Sequence, residues 1–429
     1  MIRVSIAALV SSISVLFFRH LHSSSCQVQA VTMTTASAAA GTQLHQNGVS
    51  RAVKTLRLFM VGDVMLGRGV DQMLAHHVDP VLYEGYITDA RDYLKLAIRT
   101  NGPLPGNRSV DYVWGDAKQI LSEMNADVRI INLETSVTSG GDPWPNKGIH
   151  YRMHPGNVQV IKSVGIDCCV LANNHVLDWG YSGLNDTLNA LTWAGIKVAG
   201  AGHNRVEAEQ PAVFELAGGS NRVLVFAAGS WSAGVPTVWR ASDSKSGVHY
   251  FDENNAESEI GRLSDLVKRY RRSGDVVVMS LHWGGNWGFD PEDGQQDFAR
   301  GLIDRARVDV VYGHSSHHIK GLEVYKGKLI AYGCGDFISD YEGIKGDPSK
   351  DAYRDDLSFM YFVDVRVADG GLQAVTMYPM RLKHMQVRRA SEDEDKRWLF
   401  DNMRRQVRRF GSDLVESAAQ QAPYLLVLP

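Results

Sequence analysis

The chain has 429 residues, of which 44% are hydrophobic and 22% are charged, so it can bury a sizeable core. The net charge of −3 gives no basic excess of the kind that nucleic-acid binding requires, and we therefore expect no nucleic-acid partner. The spacing of the four cysteines fits neither a disulfide framework nor a CxxC metal-binding pair.

Residues 1–50 differ in composition from the rest of the chain. Arg3 precedes an apolar run from Val4 to Phe18, and a stretch rich in Ser, Thr, Ala and Gln follows to about Gly48. The run is shorter than the ~20 residues of a comfortable membrane span. We favour a targeting segment that leads to secretion or to membrane anchoring through this run alone. An organellar transit peptide and translation from Met33, which would leave the protein in the cytoplasm, are the alternatives.

From about residue 54 the chain alternates apolar strands with helical segments. This alternation predicts a single large α/β domain over residues 54–412, followed by a C-terminal tail over 413–429. The predicted strands that end in polar residues are 56–61, 127–133, 166–171, 275–281 and 308–312. A charged helix is predicted near 391–409.

The stretch at 170–183, with the sequence VLANNHVLDWGYSG, places several polar groups at a strand-to-helix junction. Asn173, Asn174, His175 and Asp178 fall within six residues, where an α/β sheet usually carries its ligand groups. The simpler interpretation is that Asn and Asp shape the turn and cap the helix.

The same pattern recurs at the ends of the four other predicted strands, so that five strand ends carry carboxylate, amide or imidazole groups. These residues are Asp63, Glu134, Asn174, His282, His314 and His317. Because strand ends converge on one rim of an α/β sheet, we expect a shared site for divalent metal ions such as zinc, manganese or iron. Two-metal sites of this kind hold their ions ~3.5–4 Å apart. Taken singly, each residue could instead be a cap or a core histidine.

Five segments of the chain resemble the CapA-type capsule (poly-γ-glutamate) synthesis proteins, a family related to the calcineurin-like metallophosphoesterases. The segments are Gly62–Arg68, Asn132–Glu134, Ala172–Gly180, His282–Gly284 and Gly313–His317. The resemblance covers about residues 55–412. It implies a four-layer α/β/β/α sandwich with a metal centre at its rim.

The resemblance also implies roles for individual residues. Asp63 and His317 would hold one metal ion, Glu134 would bridge, and the second ion would be held by Asn174, His282 and His314. His175 would act as general acid or base, positioned by Asp178. Arg68 and Arg152 would bind an anionic substrate, either a small molecule or a polymer.

Several positions depart from the family patterns. Met65 stands where metallophosphoesterases have a histidine, and Asn286 stands where many CapA proteins have a glutamate. Ser315-Ser316 replaces a common His-Pro, and Asp336 replaces an asparagine. These changes bear on the substrate more than on the metal site.

The first hypothesis is therefore a metal-dependent hydrolase that acts on a phosphoester or a γ-glutamyl-type amide. The alternative is a non-catalytic accessory protein in the synthesis or export of an anionic polymer such as poly-γ-glutamate. A ligand-binding module with a vestigial site is the third option, and it is disfavoured because every inner ligand is present.

Overall fold

The computed structural model describes residues 54–216, 221–344, 352–417 and 423–429. The predicted targeting segment, residues 1–50, lies outside them. The described strands are β1 (Thr55–Met60), β2 (Asp63–Val64), β3 (Val128–Leu133), β4 (Ser136–Val137), β5 (Arg152–Met153), β6 (Cys168–Val170), β7 (Lys197–Ala199), β8 (Ala201–Gly202), β9 (Ala212–Glu215), β10 (Arg222–Gly229), β11 (Gly247–Val248), β12 (Val276–His282), β13 (Val310–His314), β14 (Leu322–Tyr325), β15 (Lys328–Ala331), β16 (Asp336–Ile338), β17 (Leu357–Arg366), β18 (Gly371–Lys383), β19 (Gln386–Arg389), β20 (Asp413–Glu416) and β21 (Tyr424–Val427). The described α-helices are α1 (Arg68–Met73), α2 (Arg91–Asn101), α3 (Gly115–Met124), α4 (Val158–Lys162), α5 (Gly180–Trp193), α6 (Arg205–Glu209), α7 (Ala256–Tyr270), α8 (Asp293–Asp304) and α9 (Asp393–Arg408).

Two large sheets form the centre of the domain. The first has eleven strands, with the main order β16-β2-β3-β1-β17-β18-β21-β20 and with β6 and β7 continuing from β3. The second has six strands in the order β14-β15-β13-β12-β10-β9. In both sheets the strands that lead to the predicted site residues run parallel, so their carboxyl ends lie at the same edge.

Alternating side chains make the sheets pack in layers. Along β1, Leu58 and Met60 enter the core between the two sheets, whereas Phe59 packs against the helices on the outer face. In β12, Val278 faces the other sheet and Met279 faces α7 and α8. This alternation is what a strand buried on both faces requires. The predicted four-layer α/β/β/α sandwich is therefore confirmed.

The C-terminal residues differ from the prediction of a tail beyond 412. Strand β20 pairs with β21, and β21 pairs antiparallel with β18, so the first sheet gains its edge from this segment. Leu414 and Leu426 are buried in the core between the sheets. The short apolar runs around these residues gave little periodicity, which is why their strands were missed. In the part of the chain that the structure describes, no helix is long and apolar enough to cross a membrane.

One tyrosine joins the two sheets close to the predicted site. Tyr312 of β13 is fully buried, and its hydroxyl accepts a hydrogen bond from the backbone N–H of Val61 at 3.2 Å. The same hydroxyl donates to the carbonyl of Val61. Val61 lies between β1 and Asp63, so this contact fixes the position of the carboxyl end of β1 relative to β13 of the second sheet.

Tyr312→Phe should lower the free energy of unfolding by about 1–3 kcal/mol, because both backbone groups of Val61 would be left buried without a partner. Tyr361→Phe is the matched control. Tyr361 is equally buried, but its hydroxyl has no hydrogen-bond partner among the described residues, so its removal should leave stability unchanged or raise it. Urea denaturation of both variants measures the difference. Equal losses in the two variants would contradict the bridging role of Tyr312.

Candidate metal centre

Asp63 is held at the junction of the two sheets. It lies in β2, opposite Asn132 of β3 on one side and Asp336 of β16 on the other. Its Oδ1 accepts hydrogen bonds from Asn132 Nδ2 at 2.8 Å and lies 2.8 Å from Nδ1 of His314, which comes from the second sheet. Burial acts to raise the pKa of Asp63, but the hydrogen bond and charge of His314 lower it to about 2.

Glu134 is a second buried carboxylate, and its ion-pair contact with Nε2 of His282 is long, at 3.7 Å. It follows β3 and is 3% exposed, yet among the described residues none donates a hydrogen bond to its carboxylate. Burial, and then the negative charges of Asp63 and Asp336, raise the pKa of Glu134 well above its usual range. A cation at this point would remove the repulsion among the three carboxylates.

The second sheet supplies the imidazoles. His282 and His314 are paired in register at the carboxyl ends of β12 and β13. Nε2 of His282 lies 3.2 Å from Oδ1 of Asn174 and 3.7 Å from Oε1 of Glu134. Ligand atoms of Asp63, Glu134 and His282 all lie within 4.8 Å of one another. The structure therefore brings five of the predicted metal ligands into one cluster, since Asn174, which is half-buried, and His314 adjoin these three buried residues.

The sixth predicted ligand, His317, contacts Asp336, which lies opposite Asp63 in the first sheet. Nδ1 of His317 lies 3.0 Å from Oδ2 of Asp336. Burial acts to lower the pKa of His317, but the charge of Asp336 raises it. The carboxylate fixes the orientation of the imidazole, as second partners of metal-binding histidines commonly do. Asp336, noted in the sequence only as a departure from a family pattern, thus has a definite place beside Asp63.

The donor set fits a divalent metal ion. Carboxylate oxygens, an amide oxygen and neutral imidazoles are the groups that zinc, manganese and iron bind. Burial lowers the pKa of His282 to about 3, so its imidazole is neutral at pH 7. Glu134 accepts no hydrogen bond from any residue in the described ranges, and this is the property expected of a carboxylate that binds a cation.

His175 and Asp178 form a pair beside this cluster. Nδ1 of His175 lies 2.6 Å from Oδ2 of Asp178, which also accepts a hydrogen bond from the backbone N–H of Tyr151 at 2.7 Å. The ring of Tyr151 stacks on His175 with 3.8 Å between the ring centroids. Helix α5 begins at Gly180 without a side-chain cap, so Asp178 orients His175 and does not cap the helix.

Lys147 is a site residue that the sequence analysis missed. Its ammonium group pairs with Asp178, donates to the carbonyl of Asn174 and lies 3.1 Å from Nδ1 of His175. Burial lowers the pKa of Lys147, and the charge of Asp178 opposes this shift. The residue lies in a loop rich in Gly and Pro, where no periodic pattern marks a side chain as buried.

Asn173 shapes the turn that presents Asn174 and His175. Its Nδ2 donates to Oδ1 of Asn132 and to the carbonyl of Leu133, both at 2.9 Å. Its Oδ1 accepts from the backbone N–H of His175 at 3.1 Å. Asn173 and Asn132 therefore join the ends of β3 and β6 and hold the backbone beneath the cluster.

Arg68 lies in a different environment from the one that the resemblance implied. It is 3% exposed, and its guanidinium pairs with Glu84 at 2.8 Å and with Asp340. It also receives cation–π contacts, at 3.9 Å from the ring centroid of Tyr93 and 4.8 Å from that of Tyr151. All three guanidinium nitrogens donate to groups inside the protein, so the structure argues against substrate binding by Arg68 and gives it a supporting position under Tyr151.

Arg152 is also engaged elsewhere. Its guanidinium carbon lies 3.6 Å from the ring centroid of Trp179, and its NH2 donates to the carbonyl of Asp79 at 3.3 Å. In the described ranges no hydrogen bond or ion pair connects Arg152 with the metal-ligand cluster. Neither of the two predicted substrate-binding arginines therefore forms a hydrogen bond or ion pair with the metal-ligand cluster in the part of the chain that the structure describes.

Arg68→Gln should lower the free energy of unfolding by about 3–5 kcal/mol, because Glu84 and Asp340 would be left buried without their cation. Arg205→Gln is the matched control, since the pair of Arg205 with Asp243 lies on the surface and its loss should have no measurable effect. Chemical denaturation of the two variants checks this. A fully stable Arg68→Gln variant with impaired substrate affinity would restore the substrate-binding role.

Comparisons with known proteins agree with the motifs. The family model described as bacterial capsule synthesis protein PGA_cap matches residues 57–341. A Mycobacterium tuberculosis protein named "Probable polyglutamine synthesis accessory protein" is 42% identical over 82% of this chain and 92% of its own length. The PGA biosynthesis protein CapA of Bacillus subtilis is 26% identical over 65% of this chain and 62% of its own length.

A third relative, the capsule biosynthesis protein CapA of Bacillus anthracis, is 25% identical over 68% of this chain and 61% of its own length. The region matched by the family model contains Asp63, Glu134, His175, His282 and His317. The chain belongs to the bacterial capsule synthesis protein family PGA_cap.

Proposed function

We propose that this protein is a metal-dependent hydrolase that acts on a phosphoester or a γ-glutamyl-type amide of an anionic polymer or a related small molecule. The observation that carries the proposal is the buried cluster of Asp63, Glu134 and His282, with ligand atoms within 4.8 Å of one another. The oriented imidazole of His175 beside this cluster adds a group for proton transfer.

Metal binding and proton transfer would be carried out by different residues of the chain. Asp63, Glu134, Asn174, His282, His314 and His317 would hold two divalent ions, of manganese, iron or zinc. Bound metal ions of this kind lower the pKa of water and polarise the bond to be cleaved. His175 keeps Nδ1 on Asp178, which leaves Nε2 as the ring nitrogen that can exchange a proton with the substrate.

Lys147 supports this arrangement from the outer side. By pairing with Asp178 and donating to the carbonyl of Asn174, it connects the proton-transfer pair with a metal ligand. Tyr151 covers one face of His175 and so limits rotation of the imidazole. A ring held on one face and at one nitrogen meets the substrate in a fixed orientation, which is the condition for efficient proton transfer.

The polymer part of the proposal is supported by the names of the relatives. The M. tuberculosis protein is named for polyglutamine synthesis, and the B. subtilis protein is named for PGA biosynthesis. The word "accessory" in the first name also supports the second candidate function, a non-catalytic role in the synthesis or export of such a polymer. The two functions differ in whether His175 is required.

Metal content tests the basis of the hydrolase proposal. Protein purified without chelators should hold about two divalent ions per chain by mass spectrometry, and Glu134→Gln should lose most of them because a carboxylate that would hold them is removed. Ligand binding to the folded state alone adds about 2.7 kcal/mol of stability at a hundredfold excess over Kd, so a chelator should lower the melting temperature of the wild-type protein.

Glu323→Gln is the control for this experiment. Glu323 is also a buried glutamate, but it pairs with Arg300 and Tyr332 away from the cluster, so this variant should keep its metal. A wild-type protein that holds no stoichiometric metal would remove the basis of the hydrolase proposal.

Replacement of His175 separates the two candidate functions. His175→Gln should keep its metal and lose about 10²- to 10⁴-fold in the rate of hydrolysis, because general acid–base catalysis contributes that factor. The activity is measured with the metal-loaded protein on phosphoesters and γ-glutamyl peptides. His203→Gln, at an exposed histidine, should hydrolyse at the wild-type rate. Wild-type polymer production with His175→Gln would instead favour the accessory function.

A further inference from the structure

A second charged feature lies at the amino-terminal ends of β12 and β13, at the end of the second sheet opposite His282 and His314. A groove of about 760 Å3 is bounded by the end of α7 with its following loop, the end of α8, and the turn between β17 and β18. Its charged lining residues are Lys268, Arg271, Arg272, Asp275, Arg305, Arg307 and Asp369. Five cations and two carboxylates leave an excess of three positive charges, in a chain whose net charge is −3.

Both carboxylates of the groove are already neutralised by cations. Asp275 pairs with Arg222 at 2.6 Å, and Asp369 pairs with Arg366 at 2.8 Å. Neither Arg222 nor Arg366 is among the residues that line the groove. The acids therefore do not neutralise the cations that face the groove.

Three of the cations have no ion-pair partner among the residues that the structure describes. Lys268, Arg272 and Arg307 are exposed, and none of them forms an ion pair with any residue that the structure describes. By contrast, Arg271 pairs with Asp309, and Arg305 pairs with Glu257. Lys268 and Arg272 are only four residues apart in the chain, and folding brings Arg307 to the same groove.

The helix ends account for only part of this charge. Helices α7 and α8 both end at the groove, and a helix C-terminus carries a partial charge of about −0.5 that favours nearby cations. Two such termini offset roughly one of the excess positive charges. The remainder is available to an external anion.

The groove is separate from the metal centre. It adjoins residues that precede β12 and β13, whereas His282 and His314 end those strands. At about 3.3 Å per residue, the seven residues of β12 span roughly 20 Å. A single small substrate cannot occupy both places, but a polymer chain can.

We infer that this groove binds a linear polycarboxylate, a γ-linked glutamate chain, and holds it while another part of the chain reaches the metal centre. The identity of the polymer rests on the proposed function. A concave groove formed by three chain segments admits a linear polymer, whereas a flat bilayer surface would meet only its rim. Binding at a second place on the same molecule raises the effective concentration of polymer at the first.

The test uses the full chain and a fluorescently labelled γ-linked glutamate oligomer, with binding followed by fluorescence anisotropy. The groove variant carries Lys268→Gln, Arg272→Gln and Arg307→Gln. It should bind the oligomer about tenfold more weakly, which corresponds to about 1.4 kcal/mol. Wild-type binding should weaken as salt is raised, because exposed charges are screened.

The control variant carries Arg99→Gln, Lys162→Gln and Arg388→Gln. These residues are also exposed and without ion pairs in the described ranges, and they lie outside the groove. The control loses the same formal charge and should bind within about twofold of wild type, because isolated surface charges contribute little. Unchanged binding by the groove variant, or equal loss in the control, would overturn the inference.

Two further measurements complete the test. Tighter wild-type binding to phosphatidylglycerol vesicles or to a single-stranded DNA oligonucleotide than to the oligomer would also overturn it. If the triple variant does not fold, Arg272→Gln with Arg307→Gln, both outside the helices, replaces it.

Hydrolysis of a small substrate should be unchanged in the groove variant. If neither the wild type nor any variant hydrolyses a substrate, but the oligomer still binds through the groove, the hydrolase proposal fails. The inference that the groove binds the polymer is then retained.

Discussion

The architecture depends on the electrostatic cost of burying several carboxylates where two sheets meet. Asp63 and Asp336 stand side by side on neighbouring strands, and both act on Glu134. Such charges are tolerated in a protein interior only when they are paired, protonated or bound to a cation. His314 compensates Asp63 and His317 compensates Asp336, whereas Glu134 has no donor among the described residues. This unequal compensation distinguishes the junction from a fully paired buried polar network and is the basis of the proposed metal site.

A second buried charge cluster supports the first. Arg68, Glu84 and Asp340 form a closed group beneath Tyr151 and Tyr341, and these two tyrosines share a hydrogen bond of 2.7 Å. Tyr151 stacks on His175, and Tyr341 lies edge-on to His317 at 5.6 Å. The arginine thus acts on the site through the aromatic rings above it. A buried ion cluster of this kind is weak evidence for stability, but breaking it is costly.

The proposed metal centre and the proposed polymer-binding groove have complementary properties. The centre has a compact donor set and one oriented imidazole, suited to chemistry at a single bond. The groove has unpaired surface cations and little specific geometry, suited to a flexible chain with repeated charge. The hydrolase and accessory functions both need polymer contact, so the groove bears on both. They differ only in the use that is made of His175.

Local patterns determined much of this protein. Short continuous apolar runs predicted the strands around 56–61, 127–133 and 275–281, and they placed Asp63, Glu134 and His282 at strand ends. Tertiary structure decided which of these ends meet, because Asp63 and His314 belong to different sheets and are 251 residues apart.

Tertiary structure also decided that Arg68 pairs with Asp340, 272 residues away in the chain. It likewise placed Lys147, which lies in a loop, beside His175. The periodicity of a helix or strand determines the face on which a residue lies. Only the packing of segments distant in the chain determines which residues it contacts.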